Sequence, residues 1–366
     1  MAELIQTARA ANIENASSLK KQDLVAAILR ESGSAPSDGT GVLEILPDGF
    51  GFLRAPEYSF LPGSDDVYVS PSQIRRFNLR TGDLVGGQVR APKENERYFA
   101  LIKVERVNGA SPDVAREKAL FENLKPTWPK RRLALGDPDL RLLETLAPIG
   151  FGQRAMLLGP ARSGRSTLLH RLGHAIAAAH AEVELLVVLV AERPEEVTEI
   201  ERSAPGTVLA TTFDEPDARH VQVAEMAIER GKRLVEHGRD VVVLLDSLDR
   251  FAQAAGGDAG LDSAALTRVR RVLGAARALD EGGSLTLFAT ANADGPVARA
   301  VRDAATAEIV LHGGSGGVHL DRAATITLHA DRLQTSAEAA LAARVRAADS
   351  LEAARAVLDR PPAAGE

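Results

Sequence analysis

The chain has 366 residues, 45% hydrophobic and 26% charged, with no cysteine and a formal net charge of -6. That length and apolar content allow two or three domains with real cores, while the lack of cysteine excludes disulfides, thiolate metal sites and cysteine nucleophiles and fits a reducing, cytoplasmic setting. No apolar run reaches the ~18 residues of a membrane span, the start around Glu3 is not expected to be a signal peptide, and the acidic balance leaves nucleic-acid binding to local patches.

In chain order, residues 1–31 read as a small helical subdomain, with Leu19, Leu24, Val25, Ile28 and Leu29 at helical spacing. Residues 32–40, rich in Ser, Gly, Pro and Asp, read as a linker. From 41 to 107, short alternating runs separated by Pro47-Asp48-Gly49, Pro62-Gly63 and Thr81-Gly82-Asp83 predict a small β barrel. A connector, 108–147, holds Trp128, Pro129 and Lys130-Arg131-Arg132. Over 148–336, apolar runs at Ala155–Leu158, Leu185–Val190, Val208–Ala210, Val241–Leu245 and Leu285–Ala289 alternate with helical stretches, which predicts an α/β domain with a parallel sheet covered on both faces. Residues 337–366 read as a helical tail.

Two segments carry chemistry. Gly159-Pro160-Ala161-Arg162-Ser163-Gly164-Arg165-Ser166 has P-loop spacing between a strand and a helix, where backbone N–H groups and the helix N-terminus face a phosphate. Arginine stands where the motif has lysine: the charge is kept, but its longer planar fork does not by default take the position of a compact ammonium. In the barrel segment, Phe50 and Phe52 lie two apart on a strand and share a face suited to base stacking, with Gly49 and Gly51 beside them. Such rings are as readily barrel core; Tyr58, Phe60, Glu96, Arg97 and Tyr98 tip the reading towards single-stranded nucleic acid.

The runs Gly41–Leu46, Asp48–Arg54, Asp66–Asp83 and Glu96–Leu101, continued by Glu192–Glu199, Thr212–Pro216, Arg219–Met226, Leu245–Ser247 and Gly274–Arg277, resemble the transcription termination factor Rho family, up to about Thr290. The resemblance implies an OB-type barrel, a RecA-like P-loop motor, ATP and Mg2+, assembly as a hexameric ring, single-stranded nascent RNA as ligand and the RNA polymerase complex as partner. It assigns RNA contact to Gly49, Phe50, Gly51, Phe52, Leu53, Arg54, Tyr58, Ser59, Phe60, Glu96, Arg97 and Tyr98. It assigns nucleotide contact to Gly150, Phe151, Gly152, Gln153, Arg154, Ala155, Arg162, Ser163, Gly164, Arg165, Ser166, Thr167 and Arg193. Ser166 and Asp246 are the implied metal-binding residues, and Glu192 the implied base; a lone acid after a strand is ordinarily a solvated loop charge, but two at the carboxyl ends of strands in a P-loop sheet fit catalysis.

Departures from the family pattern bear on activity. Besides Arg165, Ala191 replaces an aspartate, the stretches Phe251–Leu261 and Gly295–Asp303 are shorter than the family's RNA-contacting pore loops, and Ser336 stands where the arginine reaching a neighbour's ATP is expected, with Arg332 the alternative. An arginine finger is worth on the order of 10³ to 10⁵ in rate. The expectation is therefore an RNA- and nucleotide-binding homologue with weak hydrolysis, in homo-hexamers or mixed rings with an active Rho. The alternatives are an active RNA-dependent ATPase and helicase, or a plain RNA-binding protein whose motor is a scaffold.

Overall fold

The computed structural model describes residues 2–10, 37–93, 96–313 and 318–359. The expected helix over residues 19–29 and the frayed end around Pro361 lie outside them. The chain divides after Lys118 into two compact units, each taken by itself.

In the first unit, after helix Ala2–Ala10, strands β1 (Ser37–Ile45), β2 (Gly51–Arg54), β3 (Val67–Val69), β4 (Leu84–Arg90) and β5 (Phe99–Val107) close a barrel in the order β1-β2-β3-β5-β4. Residues 37–40, read from composition as linker, are already strand: Ser37 pairs with Val89 and Thr40 with Gly86. The small residue at Gly39 permits this, because a Cβ there would stand 2.7 Å from the Val89 side chain. Alternation sends Leu43, Leu53, Val69, Val85 and Leu101 into the barrel core, each worth roughly 1.5–3 kcal/mol of burial. It turns Phe52 and Arg54 to the other face.

In the second unit, β6 (Pro126–Thr127) is a short outer strand, followed by β7 (Arg154–Gly159), β8 (Glu184–Glu192), β9 (Thr207–Thr212), β10 (Asp240–Asp246), β11 (Arg277–Leu279), β12 (Ser284–Asn292), β13 (Ala307–His312), β14 (His319–Leu320) and β15 (Ile326–Thr327). The sheet runs β14-β13-β7-β12-β10-β8-β9, with β13 to β9 parallel throughout and the short strands antiparallel at its margins. All five apolar runs expected as strands are strands here. Leu157, Val187, Leu244 and Phe288 from the sheet meet Leu169, Leu172 and Ile176 from helix Arg165–Ala179 in one core. That core fixes the carboxyl ends of β7, β8, β10 and β12 side by side, where an open α/β sheet presents its ligand site. The tail forms helices Ser336–Ala347 and Leu351–Asp359. No helix among the described residues is long and apolar enough to cross a membrane.

Candidate nucleotide and nucleic-acid sites

The P-loop leaves β7 at Gly159 and enters the 15-residue helix Arg165–Ala179 through Gly164. Gly164 has φ +86, a conformation L side chains rarely adopt, and a Cβ there would meet the Val318 side chain at 2.9 Å. The loop thus keeps its curl ahead of the helix N-terminus. Ser166 and Thr167, in the first helical turn, are exposed, while Ser163 is buried with its Oγ lacking a hydrogen-bond partner among the described residues. The Arg165 Nη1 lies 3.8 Å from Asp249 Oδ2 and makes no hydrogen bond among the described residues. Burial pushes its guanidinium below the ordinary arginine value.

Asp246 closes β10, buried, with Oδ1 accepting from Thr290 Oγ1 at 2.7 Å and Oδ2 left without a hydrogen-bond partner among the described residues. A buried oxygen without a donor is costly unless a ligand completes it, so the cradle fits a phosphate group with a cation. Glu192 ends β8 beyond an irregularity in the β8–β9 ladder, where Ala191 takes φ +50. Such an irregularity re-aims the following side chain. Glu192 Oε2 lies 2.6 Å from Arg250 Nη2, and its Oε1 accepts from the Arg193 N–H at 3.1 Å. Burial works to raise the Glu192 carboxyl, but the Arg250 hydrogen bond and charge outweigh it and hold it below its ordinary value of 4.5.

The structure therefore brings together Arg162 to Thr167, Glu192 and Asp246. Arg193 stands just before helix Pro194–Ser203 with no capping bond from its side chain, exposed, with Glu196 3.3 Å from its guanidinium. Gly150 to Ala155 stand apart from this group. They lead into the opposite end of β7, roughly 16 Å from Gly159 at strand spacing, and are occupied structurally: Gln153 donates to the Thr306 carbonyl at 2.8 Å, Arg154 to that of Ala276 at 3.0 Å, and the buried Phe151 lies under Arg131. Sequence reasoning missed Asp249, Arg250 and Thr290. Two of them had a signal: Asp249 and Arg250 open the helix Leu248–Gly256 directly after the strand that ends at Asp246, which keeps them near the carboxyl end of β10.

On the barrel, Phe52 is 5.8 Å from Phe50, 6.1 Å from Tyr68 and 4.8 Å from Tyr98, ring centre to ring centre. Arg54 lies over the Phe52 ring at 4.9 Å and Arg97 over Tyr98 at 5.5 Å. Tyr68 was absent from the expected site, although the alternation Val67-Tyr68-Val69 puts it in register with Phe52. Arg54 is buried between Glu44, 2.6 Å away, and Asp66, whose carboxyl burial raises. Gly49 and Gly51 flank Phe50. Leu53 points into the barrel core, Phe60 is buried with Ser59 beside it at positive φ, and Tyr58 is exposed. Glu96 accepts two bonds from Arg90, which hold its carboxyl down to about 2.

A closed five-stranded barrel with an aromatic, arginine-bordered face, joined to a parallel sheet with a P-loop, defines an OB-barrel protein with a RecA-like nucleotide-binding domain. Among family models, the Rho termination factor N-terminal domain matches residues 1–33, the Rho termination factor RNA-binding domain 39–113, and the ATP synthase alpha/beta family nucleotide-binding domain 139–313. Transcription termination factor Rho of Chromobacterium violaceum is 48% identical over 340 residues, 88% of this chain and 81% of that protein. That of Escherichia coli (strain K12) is 50% identical over 312 residues, 80% of this chain and 74% of that one. The chain belongs to the transcription termination factor Rho family. A solved ATPase from the type III secretion system of pathogenic bacteria shares the fold, with a TM-score of 0.52 and 22% identity over 60% of this chain and 69% of that one.

Proposed function

We propose that this chain is a Rho-like transcription termination factor that binds nascent single-stranded RNA through its barrel and ATP with Mg2+ at its P-loop, but hydrolyses ATP weakly. In this reading it acts in the cytoplasm on the RNA polymerase complex, within a hexameric ring of its own copies or a mixed ring with an active Rho.

The observation that carries the weak-hydrolysis reading is the contact between Glu192 and Arg250 at 2.6 Å. A base that activates an attacking water works best when its basicity is not drained by a paired cation. Here the Arg250 guanidinium holds the Glu192 carboxyl below its ordinary value and makes it a poorer proton acceptor, and Ala191 supplies no second acid. Binding is less affected. Backbone N–H groups and the helix terminus would hold the phosphates, while Ser166 Oγ and Asp246 Oδ2 would hold the cation, which supplies charge neutralisation when bound. Arg332, exposed in a one-turn 3-10 helix, and Ser336, which opens a helix capped by Thr335 and Glu338, leave the trans position without the expected cation at Ser336.

Calorimetry of the full chain with Mg-ATP, with and without Asp246→Asn, tests the nucleotide half. Binding by the wild type that is weakened at least about tenfold in the variant supports it, and no binding at millimolar ATP would reduce the motor to a scaffold.

A further inference from the structure

We propose that Asp249 is a positioning residue that holds the Arg165 guanidinium away from the phosphate cradle, so that nucleotide affinity is set by competition between the Asp249 carboxylate and the phosphates for one cation. The inference rests on the nucleotide-binding reading and deepens it by naming what regulates the site.

Arg165 is the first residue of its helix and follows Gly164, so its side chain starts at the mouth of the cradle. Asp249 stands in the first turn of helix Leu248–Gly256, where the helix dipole favours a carboxylate. It is anchored through the same oxygen that faces Arg165: Oδ2 accepts the Asn292 N–H at 2.7 Å at the end of β12. A fixed anion and a long, rotatable cation make the arginine the partner that moves.

The spacing shows that the hold is weak. At 3.8 Å the pair is within charge-pairing range but beyond a hydrogen bond, and the buried Nη1 keeps an unused donor. A phosphate offering several anionic oxygens in the geometry a guanidinium fork prefers is a stronger partner than this half-engaged carboxylate. Asp246 and Arg250 also bear on the Arg165 charge, one attracting and one repelling it. Among the described residues, Asp249 alone makes an ion pair with it.

The test uses calorimetry on the full chain with Mg-ATP, and with AMP as a probe lacking the distal phosphates. Asp249→Asn should tighten Mg-ATP about tenfold and leave AMP unchanged, and Asp249→Glu should behave like the wild type. In an Arg165→Ala background the same Asp249→Asn change should shift Mg-ATP affinity by less than about twofold. A tenfold gain that persists without Arg165 would mean that Asp249 acts only as a nearby negative charge, and would overturn the proposal. So would equal affinities of the wild type and Asp249→Asn when both bind. Failure of the wild type and every variant to bind Mg-ATP would overturn the nucleotide reading beneath it. Thermal midpoints of the nucleotide-free wild type, both single variants and the double variant supply a second readout: non-additive shifts support the pair, and additive shifts contradict it.

Discussion

Arg250 places one guanidinium nitrogen 2.6 Å from Glu192 Oε2 and 3.4 Å from Asp246 Oδ1, and donates with the other to the Ala191 carbonyl oxygen at 2.9 Å. One arginine therefore ties together the two carboxylates that end β8 and β10. Because the folded Glu192 carboxyl lies below its ordinary value of 4.5, the pairing stabilises the fold fully above that pH and is lost as pH falls through the folded value. Arg250→Gln should lower stability at pH 7 by roughly 1–2 kcal/mol, discounted for partial exposure of the arginine. The gap between the two thermal midpoints should narrow below pH 4.5. A gap that is constant with pH would show that Glu192 is not the partner that matters.

The Phe52 cluster leads to a second prediction. Phe52→Ala and Tyr68→Ala should each weaken single-stranded RNA binding by about 1–3 kcal/mol, the worth of one stacked base. Filter binding checks this, with circular dichroism to confirm that the barrel remains folded. Normal RNA binding by a folded Phe52→Ala protein would remove the barrel face from the interface.

Arg54 should behave differently, because it is buried between Glu44 and Asp66. Arg54→Ala leaves two carboxylates without their cation and should destabilise the first unit by about 3–5 kcal/mol. Denaturant unfolding of the full chain should show the first unit lost early, with RNA binding lost as a consequence of unfolding.

Ala191 sits at φ +50, where a Cβ is disfavoured and glycine is at home. Ala191→Gly should stabilise the second unit by about 1 kcal/mol. A lower thermal midpoint would mean that the methyl group contributes packing that outweighs the strain.

The sequence made the architecture readable because the β-strand runs Leu185–Val190 and Val241–Leu245 are apolar on both faces, as buried parallel strands must be. The P-loop was equally plain, since Gly164 and Ser166 keep their spacing beyond an apolar strand. Less visible was the destination of long charged side chains. Arg165 reaches Asp249 and Arg250 reaches Glu192 across 84 and 58 positions of chain, contacts that only the β7-β12-β10-β8 order creates. Strand Ser37–Thr40 was hidden for the opposite reason: its turn-like composition is tolerated because Gly39 makes room for Val89. Gly150 to Ala155 match the family pattern in sequence, yet the direction of β7 carries them to the end away from the P-loop.

The most direct measurement is ATP turnover by the homogeneous full chain with Mg2+, with and without saturating single-stranded RNA, for the wild type and Arg165→Lys. Weak hydrolysis that RNA scarcely stimulates, unrepaired by lysine because Ser336 and the engaged Glu192 remain, is the expected result. Vigorous RNA-dependent turnover by the unmodified chain would contradict it and make this protein an active termination ATPase.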